Sequence, residues 1–365
     1  MNRDDASAVC AVARLFALPG EIVTVAPHGQ GHINRTFLGA TAAMDAQPAA
    51  RFVFQQINEK IFRDVPGLMD NIRRVTRHAP DCTPELVLAR DGRPFARDSA
   101  GAAWRVYCFV EGARSVQNIE SAAQAREVAR AFGAFQQKLA TLPGPRLHEV
   151  LPGFHDTRSR YTALHEAIAA DAANRAAGAR DEITFALARE GEAGVLLDLH
   201  ASGAVPERVV HNDCKLNNLL LDAAGRAVCV LDLETTMPGF TPCDFGDMVR
   251  TASCAAAEDE RDLARVAAEP AMLRALAEGY LDGAGALLNA AEIAHLALAG
   301  RLLALEQGVR FLADHLRGDT YYRIHRPGHN LDRTRAQFAL VRSLEARHAE
   351  FERIISDLAA ARPAP

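Results

Sequence analysis

The feature that most restricts the fold of this chain is a change in sequence texture near Ile119. Before it, short runs rich in β-branched and aromatic residues are separated by turn residues, which is typical of strands. After it, long alanine-rich segments place apolar side chains at helical spacing, as Phe132, Phe135 and Leu139 do. The sequence therefore predicts a β-rich N-terminal part followed by a larger, mainly helical part.

The N-terminal part is expected to be a small sheet with few helices. One predicted helix, GLMDNIRRVTRHA, interrupts the strands, and an amphipathic helix that ends at Pro19 and Gly20 precedes them. The segment from Phe109 to Gly112 is the predicted connection, so we expect domains at residues 1–111 and 112–365. The predicted strands are EIVTVAP, RTFLGAT, RFVFQQIN, ELVLAR and WRVYCFV.

Composition excludes several classes of partner. The chain has 365 residues, 49% of them hydrophobic, and a formal net charge of -5, so we expect a folded protein that binds neither nucleic acid nor a membrane. Its seven cysteines are scattered without a Cys-x-x-Cys pair, which indicates neither a disulfide framework nor a zinc site. We find no signal peptide or membrane-spanning run, so the expected location is the cytoplasm.

Polar residues are concentrated in one loop, HNDCKLNN, between the apolar runs VV and LLL. A turn follows, and the run VCVLDLE is expected to return as a strand that carries a further carboxylate. Phosphoryl transfer needs a carboxylate near the acceptor hydroxyl, an amide and a second carboxylate that hold Mg²⁺, and a cation for the phosphoryl group. The residues that meet these needs are, in the same order, Asp213, Asn218, Asp232 and Lys215.

This loop resembles that of the aminoglycoside phosphotransferase family within the protein-kinase-like superfamily. The family pattern, His-x-Asp with Asn five positions after the Asp, is matched by His211, Asp213 and Asn218. The resemblance implies a bilobal α+β fold, with a small antiparallel N-lobe and a larger helical C-lobe. It also implies Asp213 as base or acceptor-orienting carboxylate, with Asn218 and Asp232 as Mg²⁺ ligands. His211 is expected to brace the loop, and Lys215 is either a catalytic cation or a solvated one.

The triplet Asp-Phe-Gly at Asp244 invites a different assignment, because it binds metal in protein kinases. Asp232 already occupies the place of the metal carboxylate, at the end of the hairpin after the loop. We therefore expect Asp244 to be the N-cap of the helix FGDMVRTAS and to support the loop. Asp247 is left without a predicted role.

The β-rich part is expected to bind ATP. Gly29 and Gly31, between two predicted strands, would let backbone amides approach phosphates, and Phe109 and Glu111 lie in the segment expected to contact adenine. The third strand lacks the lysine that is usual in the superfamily. Gln55 or Gln56 takes its place there, so we expect either that the phosphate contacts differ or that another cation, such as Arg51 or Arg63, helps.

Further segments resemble kinases that phosphorylate the anomeric hydroxyl of N-acetylhexosamines, and they are spread over nearly the whole chain. They are GHINRTF, QQINEKIFRDVPGLMDNI, VLDLETTMPGFTPCDFGD and GVRFLADHLRGDTYYRIHRPGHNLDRTRAQF. The resemblance implies a sugar acceptor. Arg310 and Tyr321 flank a break at Gly318 and are the candidate sugar contacts, although Arg310 could instead pair with Asp314. The further candidates are His32 and Asn34.

Two other functions remain open from the sequence. The first is a kinase for another hydroxyl compound, such as an aminoglycoside, a choline-like alcohol or a different sugar. The second is a non-catalytic nucleotide-binding protein, because strand three has no lysine.

Overall fold

The computed structural model describes residues 3–29, 33–43 and 49–362. The chain forms two compact units. The first contains Met1–Ala113, Leu142–Leu151 and Val228–Thr236, and the second contains Arg114–Thr141, Pro152–Ala227 and Met237–Pro365. No helix within the described ranges is long and apolar enough to cross a membrane.

The first unit is built on an antiparallel sheet. The elements up to residue 108 are α1 (Arg3–Ala13), β1 (Ile22–Pro27), β2 (Arg35–Thr41), β3 (Arg51–Gln56), α2 (Val65–His78), β4 (Leu86–Val87), β5 (Ala96–Arg97) and β6 (Ala103–Cys108). The strand order of the sheet is β1-β2-β3-β6-β4, and β5 pairs with β6.

Alternation along the strands gives this sheet one apolar and one polar face. Phe52 and Phe54 of β3 pack into a core with Trp104 and Val106 of β6 and with apolar residues of α1. Because successive side chains of a strand point to opposite faces, Gln55 lies on the other face. The sheet therefore has a polar face available for function.

The rest of the chain is mainly helical, with short strands around the polar loop. The elements are β7 (Ala113–Ser115), α3 (Ala122–Leu139), α4 (Thr157–Ala170), α5 (Arg180–Leu187), α6 (Val195–Ala201), β8 (Arg208–Val210), β9 (Leu219–Asp222), β10 (Ala227–Val230), β11 (Met237–Gly239), α7 (Thr241–Ala252), α8 (Pro270–Ala284), α9 (Ala290–Ala294), α10 (Leu296–Leu316), α11 (His329–Ala346) and α12 (His348–Ala360). The strands β8 and β11 pair antiparallel. The 3₁₀ turn Leu216–Asn218 follows the polar loop, and the 3₁₀ turn Leu233–Thr235 follows β10.

Close helix packing organises the second unit. Gly279 and Gly283 of α8 face backbone carbonyls of α3, and a Cβ at either glycine would lie 2.0 Å from a carbonyl oxygen. Helix α10 is buried along most of its length and packs against α4, α7 and α11. These contacts fix α7 and α10, the two helices that carry most of the polar side chains described below.

The predicted α+β class, with an antiparallel sheet followed by a helical part, is confirmed. Two local predictions were wrong. Helix α1 ends at Ala13 rather than at Pro19, and β10 ends at Val230, before Asp232. Asp232 instead has a left-handed backbone with φ of 57° and begins the 3₁₀ turn that follows. This turn ends the strand because a left-handed residue cannot continue its extended backbone.

Candidate active site

Asp244 holds the polar loop between β8 and β9. This carboxylate is fully buried in α7 and accepts hydrogen bonds from the backbone amides of His211 (2.8 Å) and Asn212 (2.6 Å). It also accepts from Gln136 Nε2 of α3 at 2.6 Å. The predicted support of the loop is confirmed, but the predicted N-cap is wrong, since α7 begins at Thr241 and Asp244 lies inside the helix.

Asp213, Lys215 and Asn218 form one hydrogen-bonded cluster in this loop. Asp213 Oδ2 accepts from Lys215 Nζ and from Asn218 Nδ2, both at 2.8 Å. Burial alone would raise the pKa of Asp213, but the charge of Lys215 and the hydrogen bonds from Lys215 and Asn218 lower it below the ordinary value. Asp213 is therefore ionised at neutral pH, as a proton acceptor requires.

The side chains of His211 and Asn218 fix the shape of this cluster. His211 Nδ1 accepts from the Asp213 amide at 3.3 Å, which confirms the predicted bracing of the loop. Asn218 Nδ2 also donates to the Asp213 carbonyl at 2.9 Å. Both of these Asn218 bonds use its nitrogen, so the carbonyl oxygen Oδ1 is the atom it can offer to a ligand.

A second brace, which the sequence did not reveal, comes from His155. Its Nδ1 lies 2.9 Å from Glu306 Oε1 of α10, and its Nε2 lies 3.0 Å from the Asn212 carbonyl. Both ring nitrogens face acceptors, which favours the protonated imidazole. Burial would lower the pKa of His155, but Glu306 outweighs burial and raises it above the ordinary value.

Arg310 lies on α10, close to the same group of residues. It is partly buried, which disfavours its charge, yet Tyr322 and Glu306 raise its pKa, so it stays charged. Its hydrogen bond goes to the neutral Gln307 Oε1 at 3.0 Å. The guanidinium also lies 5.7 Å from the centre of the Tyr322 ring and 5.8 Å from that of Phe154.

Arg250 and Asp247 of α7 complete the polar group around the loop. Arg250 Nε donates to Asp247 Oδ1 at 2.9 Å, and Arg250 Nη1 donates to Glu258 at 3.0 Å. Asp247 Oδ2 is buried and has no hydrogen-bond partner within the part of the chain that the structure describes. Asp247, unassigned from sequence, thus keeps one acceptor atom for a ligand.

The alternative pairing of Arg310 with Asp314 is not observed among the described residues. Asp314 instead accepts backbone hydrogen bonds from Thr320, Tyr321 and Tyr322 after the Gly318 turn. Tyr321 is 66% exposed and packs edge-on against Tyr322, whose ring is the one beside Arg310. A sugar contact by Tyr321 therefore stays a prediction, and Tyr322 is a candidate that the sequence missed.

In the first unit, the predicted phosphate loop is only partly described. Gly29 has a φ of +73°, a conformation that glycine adopts without strain, whereas Gly31 and His32 lie outside the described residues. Both polar atoms of the Asn34 side chain make a hydrogen bond within the protein. Its nitrogen donates to Glu234 and its oxygen accepts from the Asn58 amide at 2.9 Å, so its predicted sugar contact stays a prediction.

The segment after β6 carries the predicted adenine contacts. Arg51 Nε donates to Glu111 Oε1 at 2.8 Å, and the guanidinium lies 4.0 Å from the centre of the Phe109 ring. The Glu111 carboxylate is therefore occupied by Arg51. This leaves the backbone of the segment as its means of contacting a base.

Asp232 lies in a charged group of the first unit. The Asp232 carboxyl is within hydrogen-bonding range of Glu234, which also accepts from Arg105 Nη2 of β6. Arg105 Nε donates to Gln55 Oε1 at 2.9 Å. Gln55 and Asp232 were predicted from the sequence as site residues, whereas Arg105 and Glu234 were not.

The predicted residues thus fall into two groups, one in each unit. Asp213, Lys215 and Asn218 are brought together in the second unit, and Gln55 and Asp232 belong to the first. Metal binding shared by Asn218 and Asp232 stays a prediction.

An antiparallel sheet unit and a helical unit that carries a carboxylate–lysine–amide loop are the architecture expected of a phosphotransferase. Residues 24–281 match the model of the phosphotransferase enzyme family, and the chain belongs to this family. It is therefore a phosphotransferase enzyme.

Solved structures support the same fold. One is a microcompartment-associated aminopropanol kinase, with 16% identity and a TM-score of 0.56, matched over 95% of this chain and 99% of that one. Another is choline kinase from Cryptosporidium parvum Iowa II, with 15% identity and a TM-score of 0.55 over 98% and 97%. A third is an ADP-bound aminoglycoside phosphotransferase, with 12% identity and a TM-score of 0.50 over 88% and 95%.

Proposed function

We propose that this phosphotransferase moves the terminal phosphoryl group of ATP to the anomeric hydroxyl of an N-acetylhexosamine. Asp213 accepts the proton of that hydroxyl, because it is the ionised carboxylate of the polar loop. Lys215 keeps this carboxylate charged and oriented through its 2.8 Å hydrogen bond. The transferring phosphoryl group is the second partner proposed for Lys215.

Nucleotide binding is assigned to the first unit. Gly29 and Gly31 bring backbone amides to the phosphates, and the segment of Phe109 and Glu111 contacts adenine through its backbone. The ADP bound to the similar aminoglycoside phosphotransferase supports ATP as the donor. Gln55, on the polar face of the sheet, belongs to the phosphate end of this site.

Mg²⁺ fits the side chains that are proposed to hold it. Asn218 offers the carbonyl oxygen of an amide whose nitrogen makes two hydrogen bonds. Asp232 and Glu234 are neighbouring carboxyls, and carboxylate oxygens are ligands that Mg²⁺ prefers. When bound, the ion would neutralise charge on the phosphates.

The observation that carries the choice of acceptor is the state of Arg310. Three carboxylates around the loop are each matched by a cation: Asp213 by Lys215, Asp247 by Arg250 and Glu306 by His155. Arg310, in contrast, is partly buried and charged, and its hydrogen bond goes to a neutral amide. An arginine that donates to a neutral group favours an acceptor that offers oxygen atoms, such as an acetamide carbonyl and hydroxyls, over an ammonium compound.

Aromatic rings beside Arg310 support a sugar. A ring can cover the apolar C–H groups of a pyranose while the guanidinium holds its oxygens. Tyr322 and Phe154 lie beside the guanidinium, and Tyr321 packs against Tyr322. His32 and Asn34 are further proposed contacts, on the evidence of the sequence resemblance alone.

One observation favours the alternative, a kinase of amino alcohols. Asp247 Oδ2 is a buried carboxylate oxygen without a hydrogen-bond partner, and an ammonium group would satisfy it. A sugar hydroxyl can donate to the same atom, so a substrate panel has to separate the two functions.

The test is ADP release from MgATP with separate acceptors: N-acetylglucosamine, N-acetylgalactosamine, galactose, choline, ethanolamine and kanamycin. We expect the two N-acetylhexosamines to give the highest kcat/KM. Turnover with choline or ethanolamine alone would favour the amino alcohol function. No acceptor-dependent turnover, with ATP still bound, would indicate a non-catalytic nucleotide-binding protein.

The variant Arg310→Ala tests whether Arg310 contacts the acceptor. Arg310→Ala should raise KM for the sugar about 10- to 100-fold, the value of a lost charged hydrogen bond, with little change in KM for ATP. Arg317→Ala is the matched control, because Arg317 follows the same helix and its side chain is 40% exposed. Unchanged kinetics of folded Arg310→Ala with every sugar would remove Arg310 from the acceptor site.

A further inference from the structure

The polar face of the sheet carries a row of three side chains in register. Thr36 of β2 is paired with Gln55 of β3, and Gln55 is paired with Arg105 of β6. Gln55 bridges the other two, since its Nε2 donates to Thr36 Oγ1 at 3.2 Å and its Oε1 accepts from Arg105 Nε at 2.9 Å. Arg105, the cation of this row, is therefore one strand away from Gln55, which occupies the position of the missing lysine.

The other cations near this strand are unsuited to the same task. Arg51 is bonded to Glu111 and stacks on Phe109 at the far end of β3. Arg63 and Lys60 are exposed in the segment that follows β3. Arg105, in contrast, is 1% exposed and stays charged: burial disfavours its charge, but Glu234 raises its pKa.

Arg105 has donor capacity that the protein does not use. Its Nε bonds Gln55 and its Nη2 bonds Glu234, but Nη1 is buried and has no hydrogen-bond partner among the described residues. A buried donor without an acceptor costs free energy, and more so when it is charged. The Nη1 nitrogen of Arg105 is therefore able to donate a further hydrogen bond.

Glu234 connects Arg105 with two parts of the proposed phosphate site, the glycine-containing loop and Asp232. It accepts from Arg105 and from Asn34, which follows the glycine-containing loop, and it lies two residues after Asp232. Its carboxyl is also within hydrogen-bonding range of Asp232. Glu234 therefore holds the guanidinium beside the carboxylate that is proposed to bind the metal.

We propose that Arg105 supplies, from β6, the phosphate-binding cation that β3 lacks, with Nη1 donating to a phosphate oxygen of the nucleotide. Glu234 and Gln55 are positioning residues that orient its guanidinium. The proposal rests on the proposed use of ATP. It explains how Gln55 can occupy the lysine position without loss of the positive charge, because a planar guanidinium can bind two protein acceptors and still donate to phosphate.

The test separates phosphate binding from support of the fold. Removing Arg105 alone would leave Glu234 buried without its cation and risks unfolding. The comparison is therefore between Glu234→Gln, which retains Arg105, and the double variant Arg105→Met with Glu234→Gln, which removes both charges. Affinities of the full chain for MgATP and for adenosine are measured by calorimetry, and circular dichroism verifies the fold.

We expect the double variant to bind MgATP about 10- to 100-fold more weakly than Glu234→Gln, since one charged hydrogen bond is lost. Its affinity for adenosine, which has no phosphate, should stay within about twofold, because no phosphate contact is involved. Adding Gln55→Lys to the double variant should restore much of the MgATP affinity, because the cation returns to β3.

Three results would overturn the proposal. Equal loss of MgATP and adenosine affinity would give Arg105 a structural role only. Unchanged MgATP affinity in the folded double variant, while the wild-type chain binds MgATP normally, would contradict the role of Arg105 and leave the proposed function intact. Absence of nucleotide binding by the wild-type chain would contradict the proposed function itself, and this proposal with it.

Discussion

The contact between His155 and the polar loop predicts a dependence of stability on pH. The perturbation is His155→Gln, which removes the ionisable ring but keeps an amide that can donate one hydrogen bond. In the wild-type chain, the protonated ring donates to Glu306 (2.9 Å) and to the Asn212 carbonyl (3.0 Å). The glutamine variant cannot satisfy both acceptors, and it leaves the buried Glu306 carboxylate without its cation.

The size and sign of the effect follow from this geometry. Removing one partner of a buried ion pair costs about 3–5 kcal/mol of unfolding free energy. The pKa of His155 is raised above its ordinary value of 6.5 in the folded chain. The stabilisation is therefore fully present below pH 6.5 and is lost as the pH rises through the raised folded pKa.

The assay is urea unfolding followed by circular dichroism, between about pH 6 and pH 9, the range over which a raised histidine pKa acts. We expect the difference between wild type and His155→Gln to be largest at the acidic end and to shrink toward the alkaline end. His165→Gln is the matched control, because the His165 ring is 51% exposed and pairs with Glu190 at the surface. A difference that is constant with pH, or equal for both variants, would contradict the pH-dependent stabilisation by His155.

The other predictions concern the phosphoryl-transfer residues. Asp213→Asn should lower turnover about 10²- to 10⁴-fold in a folded protein that still binds ATP, and near-normal steady-state turnover would exclude Asp213 as the base. Asp232→Ala should abolish Mg²⁺-dependent nucleotide binding, because the ion would keep only a neutral amide, and an unchanged MgATP affinity in calorimetry would contradict this. Gln55→Ala should raise KM for ATP about 2- to 10-fold through loss of one neutral side chain, whereas Gln56→Ala, whose partner is the exposed Arg35, should not.

Much of the local structure could be predicted because it depends on neighbours in sequence. The alternation in RFVFQQ and WRVYC gave the strands, and the Gly318 break gave the end of α10. These features follow from spacing alone, so no knowledge of distant partners was needed.

The missed residues depend on pairing between distant parts of the chain. Arg105 meets Gln55 only through the register of β3 with β6, and a shift by one residue would have sent the guanidinium to the apolar face. His155 meets Glu306 across 151 positions. Tyr322, rather than Tyr321, lies beside Arg310 because Asp314 fixes the backbone turn that follows Gly318. None of these contacts has a signature in the spacing of residues.

The proposed phosphorylation of the anomeric hydroxyl is tested by the position of the new phosphate on the sugar. The wild-type chain is incubated with MgATP and N-acetylglucosamine or N-acetylgalactosamine, and the product is identified by ³¹P NMR, with the 1-deoxy analogue of each sugar as control. We expect, besides the signals of ADP, one sugar phosphate signal that couples to the anomeric proton, and no product from either 1-deoxy analogue. Phosphorylation of a 1-deoxy analogue, or of choline or ethanolamine in place of both sugars, would contradict it.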